Sequence, residues 1–151
     1  AEVKISTRAI NIALSDLKGE YSDRGVNLVK LASGYRFQTA THLEPFLGHI
    51  WMEKPAKYSR ALLETLALIA YKQPITRGEI EDIRGVSVSS NIMRTLTERG
   101  WVKAVGHKEV PGRPALFGTT KEFLDYFSLK SLAEMPELES VEALSLEPVN
   151  Q

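Results

Sequence analysis

Cysteine is absent from the 151 residues of this chain. A disulfide, a thiolate zinc site and a cysteine nucleophile are therefore excluded, and a reducing cytoplasm would suit the composition. Long apolar runs are absent too, because the longest one, residues 66–71, falls far short of the roughly 18 residues that a transmembrane helix needs. No signal peptide pattern is visible. We therefore expect a globular protein without a transmembrane helix in these residues.

A net charge is also lacking, because 19 basic and 19 acidic residues cancel. A dedicated DNA-binding protein usually carries a basic surplus, since phosphate contacts supply most of its affinity. The charges are nevertheless unevenly placed. Residues 56–127 hold eleven basic and eight acidic groups, whereas residues 128–151 hold one basic and five acidic groups. The middle of the chain is therefore mildly basic and its end is acidic.

Catalytic and phosphate-binding motifs are missing as well. The sequence has no nucleophile elbow and no Walker loop, and three glycines recur at a six-residue spacing that favours tight turns over a phosphate cradle: Gly106, Gly112 and Gly118. His42 and His49 are seven residues apart, but a zinc site would need two further ligands. Nothing brings a nucleophile, a base and oxyanion donors together. We predict no enzyme, no catalytic residue, no metal and no cofactor.

The first 54 residues show the pattern of a helix, a β-hairpin and a short helix. Apolar residues at three- and four-residue spacing predict a helix over residues 6–18 that stops at Gly19. Alternation predicts strands over residues 26–32 and 35–39 around a Ser33-Gly34 turn. Thr41 and Glu44 predict a capping box at the start of a short helix that ends near His49.

A polar stretch with Pro55, residues 52–58, predicts a linker and a domain boundary between residues 54 and 55. Helix-capping residues follow it: Ser59, Thr76 with Glu79, Ser87 or Ser89, and Thr119 or Thr120. Glycines at 85 and 100 end two of the helices, and Pro74 ends the first. Strands over residues 101–105 and 115–117 flank a loop rich in glycine and proline.

Three helices followed by a hairpin is the order of a winged helix, a variant of the helix-turn-helix. The first segment repeats the second half of this order. We therefore predict an α+β fold, mostly α, with tandem winged-helix domains over residues 1–54 and 55–128. Residues 129–151 form an acidic tail, which we expect to begin as a short helix near Leu129, to be ordered to about Glu137 and to be flexible beyond.

A winged helix can bind DNA or dock another protein, and the sequence leaves both open. Polar residues of the presumed recognition helix and basic residues of the wing suit DNA: Asn91, Arg94, Thr95, Glu98, Arg99, His107, Lys108 and Arg113. Neighbouring acids, such as Glu81 and Glu109, dilute the positive potential. The charge pattern therefore favours protein docking, with a winged-helix DNA-binding transcriptional regulator as the alternative.

Several long strings resemble the bacterial segregation and condensation protein B family. The most extended is ALLETLALIAYKQPITRGEI at residues 61–80. Others continue it in order: IRGV at 83–86, RTLTERG at 94–100, VPGRPALFGTT at 110–120 and FLDYFSLKSL at 123–132. In the first domain, YSDRGV at 21–26 and ASGYRF at 32–37 also fit. The resemblance covers about residues 6–138, and strings of this length are far more specific than a single motif.

The resemblance implies two winged-helix domains and a homodimer formed mainly through the first domains. It implies binding to segregation and condensation protein A, the kleisin subunit, and through it to an SMC ATPase that organises chromosomes. It implies a cytoplasmic, nucleoid-associated protein without catalytic activity or cofactor, whose direct binding to DNA is weak or absent. Members of the family usually begin two helices earlier, so we expect the first domain to lack those helices. Residues 87–90 also depart from the family's usual turn.

Partner-binding residues are expected around the end of the helix at residues 59–71, on the short helix that follows it and in the wing: Tyr71, Lys72, Gln73, Arg77, Glu79, Arg84 and Arg113. Tyr71 is a large aromatic group at a helix end, the type of residue that anchors interfaces. The charges of both signs over residues 77–85 suit specificity at an interface. Arg113 is held between glycine and proline, as a salt-bridge partner within the wing or as a contact residue. Trp101 and Phe117 are expected in the core of their hairpin.

Overall fold

The computed structural model describes residues 5–47 and 58–137, which form two compact units divided between Tyr58 and Ser59. Each unit mixes helices with a small antiparallel sheet. The predicted domain boundary at residues 54 and 55 lies outside the described residues. So does the end of the acidic tail, residues 138–151.

The first unit opens with α1, Thr7–Glu20. The Ser6 side chain caps it by accepting a hydrogen bond from the Ala9 nitrogen at 3.2 Å, which confirms the predicted start. The predicted stop is wrong, because the helix continues through Gly19 and Tyr21 occupies the C-cap position. No residue of α1 is buried. The apolar face that predicted this helix is therefore open to solvent within its unit.

The predicted hairpin is confirmed. Strands β1, Val26–Leu31, and β2, Gly34–Thr39, pair antiparallel with Leu28 opposite Phe37. The core of this unit is small and consists of three buried side chains among the described residues: Leu28, Leu31 and Ala40. The side-chain amide of Asn27 donates to the Tyr21 carbonyl at 2.6 Å and so ties β1 to the end of α1.

A 3-10 turn, Thr41–Leu43, and helix α2, Glu44–Leu47, follow the hairpin. The predicted capping box of Thr41 and Glu44 is wrong, because Ala40 occupies the N-cap position and no side chain caps the turn. Ala40 is buried, and its nitrogen donates to the Gly25 carbonyl at 2.9 Å. This contact starts the turn one residue earlier than the capping pattern suggests. The predicted end near His49 lies outside the described residues.

Over residues 59–137, the second unit contains four α-helices and three strands: α3, Arg60–Lys72; β3, Ile75–Thr76; α4, Arg77–Arg84; α5, Ser90–Glu98; β4, Val102–His107; β5, Ala115–Thr119; and α6, Lys121–Tyr126. Ser59 caps α3, Ser89 caps α5 and Thr120 caps α6 through their side chains. Thr76 and Glu79 form the predicted capping box of α4, which ends at Gly85 with φ +68°. Each helix and strand predicted over residues 59–127 is therefore present, in the predicted sequence.

Strand β3 is a further element that the sequence pattern did not indicate. It pairs with β5, Ile75 opposite Phe117, and completes a three-stranded sheet in the order β3-β5-β4. The core lies between this sheet and helices α3 to α6, and its most deeply buried side chains are Ile69, Ile80, Leu96, Val88, Val102 and Thr65. Trp101 is also buried, as expected, whereas Phe117 is only half-buried.

The chain after α6 does not form the helix predicted near Leu129. Ser128 has a positive φ of 58°, and the Leu129 nitrogen donates back to the Leu124 carbonyl at 2.8 Å. A 3-10 turn, Leu132–Glu134, follows instead, and Met135 after it has extended backbone angles. Reversal of the chain at Ser128 is what separates this segment from α6.

Candidate functional site

An open groove of about 410 Å³ lies in the second unit, between α3 and the end of α4. Its lining consists of Glu64, Ala67, Leu68, Tyr71, Lys72, Arg84 and Val86. The α3 residues share one face because they recur at three- and four-residue spacing. Val86 follows the left-handed Gly85 and remains 56% exposed, although it is apolar. The groove therefore has an apolar floor between charged ends, a surface suited to a side chain of another molecule.

Glu64 holds the charged end of the groove together. Its carboxylate accepts from Arg60 Nε at 2.9 Å and from Arg84 Nη2 at 3.1 Å. These hydrogen bonds, that from Arg60 first, lower the pKa of Glu64 below its ordinary value of 4.5. The carboxylate is therefore ionised at neutral pH, and two arginines share its single negative charge. With Lys72 at the other end, the groove carries a positive surplus.

Arg84 is the most deeply placed cation of the groove, with only 10% of its side chain exposed. Its Nε is buried and has no acceptor among the described residues. A buried donor without a partner costs about 1–3 kcal/mol, and more where the group is charged. The bond to Glu64 thus leaves part of the hydrogen-bonding capacity of this guanidinium unused.

A second groove, of about 400 Å³, lies on the opposite side of Tyr71 between α3, α6 and the segment after α6. It is mainly apolar, with Leu63, Leu66, Phe123, Phe127 and Met135 in its lining. The Tyr71 hydroxyl donates to the Pro136 carbonyl at 2.6 Å. Tyr71 therefore separates the two grooves, and the segment after α6 lies against one side of it.

Three of the seven predicted partner-binding residues line the first groove together: Tyr71, Lys72 and Arg84. Gln73, the C-cap residue that follows α3, is not part of its lining. Its Oε1 accepts from the Thr119 nitrogen at 2.8 Å, and its Nε2 donates to the Ala70 carbonyl at 3.0 Å. Gln73 therefore joins α3 to β5 within the unit.

The other three predicted residues also make contacts inside the second unit. Arg77 pairs with Glu81 at 3.0 Å and donates to the Val88 carbonyl, which holds the turn between α4 and α5. Arg113 lies in the wing with a φ of 37° and pairs with Glu109 at 2.7 Å. Of the two roles left open for Arg113, the structure thus contains the salt bridge within the wing.

Glu79 connects the wing to α4. Its Oε1 accepts from Lys108 at 2.6 Å, and its Oε2 accepts from the Thr76 nitrogen at 2.8 Å. The hydrogen bond from Lys108 first, and then those from Thr76, lower the pKa of Glu79 to about 2. Both Glu79 and Lys108 are therefore occupied by a contact within the unit.

The sequence reasoning missed Glu64, Ala67, Leu68 and Val86 as groove residues. Three of them could have been found from the helical spacing that places them beside Tyr71. Val86 had no such signal, because its position depends on the left-handed turn at Gly85. Within residues 5–47 and 58–137, no cluster of histidine or acidic side chains could hold a metal ion. No helix in these ranges is both long and apolar enough to cross a membrane.

One family model matches a region of the chain that includes the described residues of both units and the groove. A family model described as segregation and condensation complex subunit ScpB matches residues 1–138. The chain belongs to the ScpB family. ScpB is thus described as a subunit of a complex, in agreement with the resemblance found in the sequence, and the family is not known as one of enzymes.

Individual ScpB relatives agree with this assignment. The chain is 61% identical over 137 residues to the segregation and condensation protein B homolog of Coxiella burnetii, covering 91% of this chain and 66% of the relative. It is 42% identical over 136 residues to segregation and condensation protein B of Syntrophotalea carbinolica, covering 89% and 68%. The chain thus spans about two thirds of the length of these relatives.

A solved structure of ScpB from Mycobacterium tuberculosis is 32% identical to this chain and covers 82% of it, with 78% of the other chain covered and a TM-score of 0.45. Membership of the ScpB family depends on the sequence comparisons and not on this superposition.

Proposed function

We propose that this chain is a non-catalytic subunit of the bacterial SMC complex. In this role it binds the kleisin subunit, segregation and condensation protein A, and through the kleisin an SMC ATPase. It thereby supports chromosome condensation and segregation in the cytoplasm, at the nucleoid. Membership of the ScpB family supports the setting. The observation that carries the binding role is the open groove in which Tyr71, Lys72 and Arg84 meet an apolar floor.

The architecture suits such an adaptor. The second unit has the arrangement expected of a winged helix. Its order is helix, short strand, two helices, two strands and a last helix, and its sheet order is β3-β5-β4. The first unit has the helix and hairpin of a partial one. We assign both as winged-helix domains that dock protein segments.

The alternative, a DNA-binding regulator, is disfavoured by how the relevant cations are paired. Arg94 of α5 donates to Asn91 at 2.8 Å and lies 4.0 Å from Glu98. In the wing, Lys108 pairs with Glu79 and Arg113 pairs with Glu109. These acids reduce the positive potential that phosphate binding requires.

The first unit supports the proposed homodimer. Several of its large apolar side chains are exposed, among them Ile5, Ile10, Ile12, Leu17, Val26, Phe37 and Phe46. No residue of α1 is buried, so this helix has an apolar face with no cover from its own described unit. We assign a second copy of the chain to this face, because burial of such a surface would stabilise a dimer.

Size-exclusion chromatography with light scattering tests the proposal, on the chain alone and mixed with the central segment of its cognate segregation and condensation protein A. We expect a dimer that captures the kleisin segment. Val86→Asp places a charge on the groove floor and should abolish capture. Ile83→Asp is the matched control, since Ile83 lies on α4 three residues before Val86 and is 54% exposed, but does not line the groove.

For the dimer, Ile10→Asp should give a monomer, whereas Asn11→Asp, which adds the same charge to an exposed polar position of α1, should not. If the wild-type chain and the intact kleisin segment elute as two separate species, the assignment of the kleisin as the partner is wrong. Titration with a DNA duplex at 50 and 200 mM salt then tests the alternative. Phosphate-dominated binding would weaken by roughly 10³–10⁵-fold between these concentrations.

A further inference from the structure

We infer, resting on the proposed function for the nature of the partner, that the groove recognises a carboxylate beside an apolar side chain. A segment of the partner protein places a leucine-like side chain on the floor at Leu68 and Val86. An Asp or Glu of the same segment accepts hydrogen bonds at the Arg84 end. Arg84 is thus the residue that selects an acidic segment.

The hydrogen-bonding state of Arg84 carries the first step. A guanidinium has five N–H donors, and the contact to Glu64 Oε2 at 3.1 Å uses one nitrogen, Nη2. Nε has no acceptor among the described residues, although the side chain is only 10% exposed. A carboxylate is the acceptor whose geometry matches a guanidinium best, and hydrogen bonds between charged groups are the stronger ones. Arg84 therefore lines the groove with a donor set that its own unit leaves incomplete, and a shift of the side chain brings Nε, which is closed to solvent, to an incoming carboxylate.

The charge of the groove carries the second step. Arg84 and Lys72 line the groove with two positive charges, against one negative charge from Glu64, and Arg60 adds a third positive charge beside the groove through its contact with Glu64. Glu64 is already held by two arginines, so it does not cancel the field of all three cations. Glu64 and Lys72 are eight residues apart on α3, which corresponds to about 12 Å along the helix. Both ends of the groove thus attract acidic groups, and charge complementarity supplies specificity.

The apolar floor of the groove determines the second recognised group, the apolar side chain. Ala67, Leu68 and Val86 form it, and Val86 is 56% exposed. The volume of about 410 Å³ is at the small end of ligand sites, which span roughly 300–1,000 Å³. One apolar anchor with an adjacent carboxylate fills such a space, whereas a whole domain surface does not.

A segment of this chain has similar chemistry and is the rival occupant. Residues 138–151 contain three acids and no basic residue, with apolar residues between them. They follow Pro136, whose carbonyl is held by Tyr71 at the edge of the groove. We assign the groove to another protein because ScpB is described as a subunit of a complex. Occupation by residues 138–151 is an outcome that the test distinguishes.

Phage display of random 12-residue peptides on the full chain, with prior depletion on the Val86→Asp variant, tests the inference without the kleisin. We expect the enriched peptides to share an Asp or Glu within about three residues of a Leu, Ile or Phe. One enriched peptide is then synthesised together with its acid-to-amide counterpart. The amide version should bind at least tenfold more weakly, and Arg84→Gln should weaken the acidic peptide by a similar factor, with partial recovery in Arg84→Lys.

Controls separate recognition from folding. Ile83→Asp should bind the peptide like wild type, and thermal melting reports whether Arg84→Gln is folded. If it is not, the acid-to-amide peptide still decides the question, because that comparison leaves the protein unchanged. Enriched peptides without acids, or equal binding by the amide version, would overturn the inference. So would peptide binding that appears only when the chain is ended after Glu137, since residues 138–151 would then be the occupant.

The outcome for the kleisin remains separate. If acidic peptides bind the groove but the kleisin segment is not captured, the proposed partner is wrong and the chemistry of the groove stands. If the kleisin is captured equally by wild type, Arg84→Gln and Val86→Asp, the proposed partner stands and the assignment of this groove is wrong.

Discussion

The side-chain oxygen of Gln73 lies 2.8 Å from the backbone nitrogen of Thr119, the last residue of β5. The amide nitrogen of Gln73 also donates to the Thr119 hydroxyl at 2.9 Å. A Cβ on the neighbouring Gly118 would lie only 2.9 Å from the Gln73 oxygen, so the glycine makes room for this contact. Gln73 therefore fastens the end of α3 to the sheet.

Gln73→Ala is expected to lower the free energy of unfolding of the second unit by about 1–3 kcal/mol, because the partly buried Thr119 donor loses its acceptor. Binding of the kleisin segment should be unchanged. Urea unfolding followed by circular dichroism measures the first quantity. Asn91→Ala removes an amide that faces solvent on α5 and should stay within about 0.5 kcal/mol of wild type. If Gln73→Ala keeps wild-type stability but no longer binds the kleisin segment, Gln73 is an interface residue and not a structural one.

Glu79 should make the second unit sensitive to acid. Its pKa is lowered from 4.5 to about 2, by the hydrogen bond from Lys108 first and then by those from Thr76. A depressed pKa contributes stability that is present above pH 4.5 and is lost as the pH falls toward 2. Glu79→Gln should therefore lower the melting temperature at pH 7. Between pH 4.5 and 2, the melting temperature of this variant should fall less than that of wild type.

The control for this experiment is Glu98→Gln, since Glu98 is 70% exposed and lies 4.0 Å from Arg94. That variant should follow the wild-type melting curve at every pH. Parallel melting profiles for wild type and Glu79→Gln across the acidic range would show that the contact with Lys108 does not stabilise the folded state.

Two isoleucines of α4 form a matched pair for core packing. Ile80 is fully buried, whereas Ile83, one turn later, is 54% exposed. Ile80→Ala should cost about 2–5 kcal/mol because it leaves a cavity in a packed core. Ile83→Ala should cost far less, within about 0.5 kcal/mol, as a surface substitution does. Similar losses in the two variants, measured by urea unfolding, would contradict the burial of α4 described above.

Tyr71→Phe removes the hydroxyl that donates to the Pro136 carbonyl. We expect amide exchange at Glu134 and Met135 to accelerate about two- to tenfold, in proportion to the loss of one hydrogen bond worth roughly 0.5–1.5 kcal/mol. Exchange along the buried face of α3 should not change. Tyr35→Phe, at an exposed position of β2 in the other unit, serves as the control. Unchanged exchange in Tyr71→Phe would mean that other contacts hold this segment in place.

Elements with a local signal could be predicted from the sequence. Ser59, Ser89 and Thr120 accept hydrogen bonds from nitrogens three residues ahead, so the sequence near each helix start contains the information. The same holds for the Thr76 and Glu79 capping box. Thr41 and Glu44 carry the same pattern, but the contact of Ala40 with Gly25 overrides it.

Features that depend on distant partners could not be predicted. Strand β3 has two residues and exists because β5 lies beside it. Gln73 and Glu79 looked like interface residues because their partners, Thr119 and Lys108, are about 30–45 residues further along the chain. Tyr71 and Arg84 belong to one groove only once α4 packs on α3.

Pairing of β3 with β5 also has a consequence for synthesis of the chain on the ribosome. The two strands are about 40 residues apart, so β3 has no partner until the wing has left the ribosome. At roughly 5–20 residues per second, this interval lasts about 2–8 s. The apolar side chains of α3 that are buried in the finished unit, such as Leu66 and Ile69, face solvent or a chaperone during that time. Premature termination before residue 115 would therefore release a fragment prone to aggregation.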